Sequence, residues 1–182
     1  MKYIITEDQY ERLTQEEKVL ELPSLAYFNN DWNLLQEYLK RKGNPKYSIM
    51  GDLDLRYTPI KSLGNLTSVD GYLDLGYTSI ESLGNLTSVG GYLDLRNTPI
   101  ESLGNLTSVG GYLNLRNSSI ESLGNLTSVG GYLNLYETPI ESLGNLTSVG
   151  GDFDLRNTPI SKKYSEKEIR NMVKVDENIY LN

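Results

Sequence analysis

The stretch GYLDLRNTPIESLGNLTSVG, residues 91–110, recurs along the chain every 20 residues without an insertion. Blocks open at Gly51, Gly71, Gly91, Gly111 and Gly131, and a half block, GDFDLRNTPI, follows at 151–160. So short a period leaves few architectures open. One unit has no core of its own, whereas neighbours stacked in register bury a continuous one. Residues 51–160 are therefore predicted to form a repeat solenoid of five full 20-residue repeats plus a half repeat.

Two periods coexist inside the block. Leu93 and Leu95 alternate with Tyr92, Asp94 and Arg96, the pattern of a strand with one buried face. Ile100, Leu103, Leu106 and Val109 then come at intervals of three, which suits extended or 3₁₀-like turns better than an α-helix. Each coil is predicted to be a short strand on one side and a tight return on the other. Gly104 and the pair Gly110-Gly111 supply corners, where a positive φ or a close backbone approach is expected.

The flanks read differently. Thr6-Glu7-Asp8-Gln9 is a capping box for a helix running to about Leu20, and Asn30 or Asp31 caps a second, DWNLLQEYLKRK, which Gly43-Asn44-Pro45 stops. Trp32, Leu35 and Leu39 give that helix an apolar stripe. Ser165-Glu166-Lys167-Glu168 opens a further helix, and the closing NIYLN reads as a strand. Solenoid ends need covering, so 1–50 is expected to be a helical N-terminal cap and 161–182 a small C-terminal cap. A separate docking module in the first 45 residues is the alternative, but no linker composition sets it apart.

Composition removes several function classes. The chain has no cysteine and no histidine, hence no thiolate zinc site, cysteine nucleophile or imidazole base. Net charge is −7, and residues 51–160 hold the excess with 5 basic against 12 acidic groups, so no nucleic-acid partner is expected. No apolar run approaches a signal peptide or a membrane span, so a cytoplasmic location with no membrane partner is expected. The Asn-Leu-Thr sequons are then incidental, and the glycine-rich corners lack a phosphate loop's lysine. Paired aspartates suit a glycosidase, but an open, regular ladder gives neither one a reason for a raised pKa. The chain is read as a non-enzyme without cofactors.

The Leu93-x-Leu95-x-x-Thr98-x-Ile100 segment resembles the LxLxxNxL segment of the leucine-rich repeat family over 51–160. The length is similar to that of the short repeats of certain bacterial effectors, without their proline-leucine motifs. The resemblance implies an α/β-type, right-handed coil with a parallel sheet on one face, used for protein recognition. The family's ladder asparagine is replaced by Thr58, Thr78, Thr98, Ser118, Thr138 and Thr158. Their hydroxyls are expected to bond to backbone in the next coil, with Asn65, Asn85, Asn105, Asn125 and Asn145 as an alternative stack. The opening MKYIITEDQYERL is similar to the starts of small bacterial and phage proteins, which implies a modulator or inhibitor acting in a host cytoplasm.

Strands in register turn each outward position into a column. Asp52, Tyr72, Tyr92, Tyr112, Tyr132 and Asp152 form one, and Asp54, Asp74, Asp94, Asn114, Asn134 and Asp154 the next. A third holds Arg56, Gly76, Arg96, Arg116, Tyr136 and Arg156, and a fourth Tyr57, Tyr77, Asn97, Asn117, Glu137 and Asn157. The arginines are expected to offset repulsion among the aspartates, a bound divalent cation being the rival. The predicted partner-binding residues are Tyr72, Tyr92, Asp94, Arg96, Tyr112, Arg116, Tyr132, Tyr136, Glu137 and Arg156, engaging another protein through the strand face. Catalytic and metal sites are not assigned. The rival classes are a rigid structural module contacting through its flanks and an acidic decoy of a nucleic-acid-binding protein.

Overall fold

A computed structural model describes Thr6 and residues 18–182. The chain winds as a parallel β-solenoid carrying two sheets rather than one. In the first, two-residue strands at Leu53–Asp54, Leu73–Asp74, Leu93–Asp94, Leu113–Asn114, Leu133–Asn134 and Phe153–Asp154 pair in register 20 residues apart. Ile179–Tyr180 adds a seventh strand beside Phe153–Asp154.

The second sheet stands where a tight return was expected. Its strands are Leu66–Val69, Ser88–Val89, Ser108–Val109, Ser128–Val129 and Ser148–Val149, extended by Leu20–Leu22 and Tyr47–Ile49 at one end and Lys174–Val175 at the other. Single bridges joining Ser102 to Ser122 and Ser122 to Ser142 mark a third side. Leucine, isoleucine and valine from all sides fill one continuous core that runs from Leu22 to Ile179.

Glycine makes both kinds of corner. Gly104 sits at φ +59°, and a Cβ on it meets nothing nearer than 4.0 Å. Gly110 needs no positive φ, but a Cβ there would collide with the Gly90 carbonyl of the preceding coil. Hydroxyls and amides stitch the coils together. Thr87, Thr107, Thr127 and Thr147 donate Oγ1–H to the threonine carbonyl one coil back at 2.9–3.0 Å. Asn105 and Asn125 donate to Gly84 and Gly104 carbonyls at 3.1 Å, while Asn85 donates to Asn65. The hydroxyls of the Thr/Ser column at 78, 98, 118 and 138 do something else. Thr78, Thr98, Ser118 and Thr138 each donate to the leucine carbonyl three residues back, closing their own turn instead of bridging coils.

Helix α1 (Trp32–Arg41) starts at Asp31, whose carboxylate accepts from the Asn33 and Leu34 amides, and it buries Trp32, Leu35 and Leu39 on the first coil. Of the predicted helix from Thr6 to about Leu20, only Thr6 and residues 18–20 lie among the described residues, and Leu20 begins a strand. At the other end α2 (Pro159–Lys163) is capped by Thr158, and α3 (Glu166–Met172) by a reciprocal Ser165/Glu168 capping box. Among the described residues no helix is long and apolar enough to cross a membrane.

Candidate partner-binding face

The Leu-Asp sheet carries the candidate residues, and its local geometry follows from a short turn grammar. Each Asp or Asn of the second column accepts the amide two residues on, as Asp94 does from Arg96 at 2.9 Å and Asn134 from Tyr136 at 2.9 Å. This Asx turn ends the strand and delivers the residue after the bonded amide into the left-handed region. All six residues of the fourth column have φ between 54° and 60°. Asparagine suits that conformation, whereas Tyr57, Tyr77 and Glu137 hold it at a cost of about 1 kcal/mol each.

The aspartate column is therefore structural before it is functional. Asp74, Asp94 and Asp154 are at most 3% exposed, so Asp94 does not offer its carboxylate to a partner as the sequence reading expected. Its neighbours cover it. Arg96 places Nε 3.3 Å from Asp94 Oδ2, an ion pair without an aligned hydrogen bond, and Asn114 donates to the same oxygen at 3.4 Å.

Ion pairing along the column is uneven. Arg56 grips Asp54 with two bonds of 3.0 and 2.6 Å and reaches Asp74 at 3.3 Å, and Arg156 grips Asp154 in the same two-bond manner. The Arg56 hydrogen bond holds the Asp54 carboxyl below the usual range. Burial pushes Asp154 up, but the bonds and charge of Arg156 outweigh it and the carboxyl stays low. Asp74 goes the other way. Burial raises its pKa, the neighbouring Asp94 adds to that, and Gly76 stands where four of the other five coils offer an arginine. Among the described residues no cluster of three or more His, Cys, Asp or Glu is placed to hold a metal ion.

The tyrosine column splits. Tyr72, Tyr92 and Tyr112 stack with centroids 4.7 and 4.8 Å apart and rings within 6° of parallel, leaving Tyr112 exposed at the end of the stack. Tyr132 leaves the stack and donates its hydroxyl to Asp154 Oδ2 at 3.1 Å. Burial, reinforced by Asp74 and Asp154 respectively, pushes the Tyr92 and Tyr132 phenols up to about 12. An unfolded tyrosine titrates near pH ~10, so the neutral rings contribute stability that is complete below pH ~10 and lost as pH rises towards 12. Thermal melts between pH ~8 and ~11.5 should show the midpoint falling, and Tyr92→Phe should flatten the fall. Equal slopes in the two proteins would refute a contribution from this ring.

The remaining candidates converge on the later coils. Tyr136 lies between two guanidiniums, with Arg116 4.9 Å and Arg156 5.5 Å from its ring centroid. Arg116 and Glu137 are exposed. The sequence reading left Tyr57 and Tyr77 out of the site. They are 70% and 47% exposed and stacked 4.9 Å apart on the same face, and their signal was a tyrosine at a turn position that favours asparagine.

Fold and face together define a parallel β-solenoid with one chemically varied strand face. No family model matches the chain, and no curated protein or solved structure matches it either.

Proposed function

We propose that the chain is a non-enzymatic binding scaffold of the leucine-rich repeat type, a right-handed coil whose Leu-Asp strand face engages a partner protein. One observation carries this reading. Differences between the coils fall almost wholly in the strand and its turn, whereas the run SLGNLTSV is identical in all five blocks. The Ser-Val face is accordingly uniform, while the Leu-Asp face varies among Arg, Gly, Tyr, Asn and Glu on an invariant frame. Tyrosine and arginine, the types enriched at binding hot spots, gather on the varied side. Strain at Glu137 points the same way, since a residue that costs stability at a turn is retained where asparagine fits better.

The test is affinity capture from a cell lysate with partner identification by mass spectrometry, comparing the parent chain with Arg116→Ala/Tyr112→Ala. The double variant should lose the captured protein while keeping its circular dichroism spectrum. Glu137→Asn should stabilise the fold by about 0.5–1 kcal/mol and weaken capture. Undiminished capture by the double variant would instead favour contact through the flanks, with the array as a spacer.

A further inference from the structure

We propose that Arg116 is the residue of this face that receives a carboxylate, the side chain of a single Asp or Glu on the partner protein. The inference rests on the strand-face reading above and narrows it to one chemistry. Four arginines occupy the third column, and three are already committed: Arg56 to Asp54 and Asp74, Arg96 to Asp94, and Arg156 to Asp154. Arg116 has no such partner among the described residues. Its own coil offers Asn114 and the next coil Asn134, where Arg56 meets aspartates in both places. Asn114 Oδ1 accepts from the Arg116 amide at 3.2 Å and Asn134 Oδ1 from Tyr136 at 2.9 Å, and neither neutral oxygen gives the guanidinium a charge to pair with.

What remains is an exposed guanidinium resting on the Tyr136 ring, with no side-chain hydrogen bond to the protein among the described residues. Stacking fixes the planar fork and removes water from one side of it, which prepares it for a two-point bond to a carboxylate. Elsewhere an acidic array repels an incoming carboxylate, so acceptance at this one place also discriminates. Glu137, exposed one column over in the next coil, disfavours a second negative charge. The site therefore fits one acidic side chain among neutral neighbours rather than an acidic run.

The experiment needs no partner. The ¹⁵N-labelled full chain is titrated with acetyl-Thr-Val-Glu-Val-Thr-amide and with its glutamine counterpart while the arginine Nε–H resonances are followed. The Arg116 signal is expected to move saturably with the glutamate peptide, with those of Arg56, Arg96 and Arg156 still, and the glutamine peptide should bind about tenfold more weakly. Asn134→Asp keeps Arg116 but gives it an internal carboxylate, and should weaken the glutamate peptide by about three- to tenfold. Equal binding of the two peptides, no binding of either, or undiminished binding to Arg116→Ala overturns the proposal. The two failures are distinguishable: equal binding of the two peptides with capture still lost in the double variant removes this chemistry alone, whereas undiminished capture removes the strand-face reading on which it rests.

Discussion

Gly110→Ala is expected to destabilise the fold by about 3 kcal/mol or more, far beyond what the loss of one glycine usually costs. The added methyl points at the Gly90 carbonyl of the preceding coil, and Gly130 and Gly150 stand in the same relation to Gly110 and Gly130. A side chain can rotate away from a clash, but a backbone carbonyl held in a ladder cannot. Gly111 donates to the Gly91 carbonyl at 2.8 Å beside it, so relief of the collision must open the coil spacing itself. Gly104→Ala is the control. Its cost is conformational, about 1 kcal/mol for a left-handed alanine, because the space around it is free. Thermal unfolding should therefore drop by roughly 6–12 °C for Gly110→Ala and by a few degrees for Gly104→Ala. Equal drops would show that the corner is not close-packed.

The second large effect compares one letter in two places. Leu123→Ala should cost about 2–5 kcal/mol, since the side chain is fully buried and its removal leaves a cavity between two coils that cannot collapse. Leu143→Ala, the same substitution one repeat later, should cost about half as much. Leu143 is only partly buried, because the next coil ends at Ile160 and the chain turns into α2 and α3 instead of completing another return. Urea unfolding of the two variants measures the difference directly. If both lose the same stability, the last coil is covered as well as the central ones.

Much of the strand face was legible. Alternation of Leu93 and Leu95 with Tyr92, Asp94 and Arg96 assigns inside and outside without any tertiary information, because successive strand residues point to opposite faces. Repetition at constant spacing then turns each outward letter into a column. The Ser-Val sheet was not legible, since Leu106 and Val109 stand three apart without the alternation that marks a strand, and the strand exists only because the next coil pairs with it. The buried state of Asp94 was hidden for a related reason. Its letter is polar and its strand position outward, yet Arg96 and Asn114 close over it from its own coil and the next.

The amino-acid sequence by itself determined the repeat length, the inward leucines, the glycine corners and the order of residues along the exposed columns, all of which follow from local backbone geometry repeated identically. The tertiary structure alone decided which identical letters share an environment. Leu123 and Leu143 differ through the coil beyond them, and Arg56 gains a second carboxylate, Asp74, from the next coil. Burial belongs to the stack, whereas the pairing of Arg56, Arg96 and Arg156 with the acid two residues back belongs to the unit. The four guanidiniums of the face carry one letter, and Asn114 in its own coil and Asn134 in the next leave Arg116 without a carboxylate partner among the described residues.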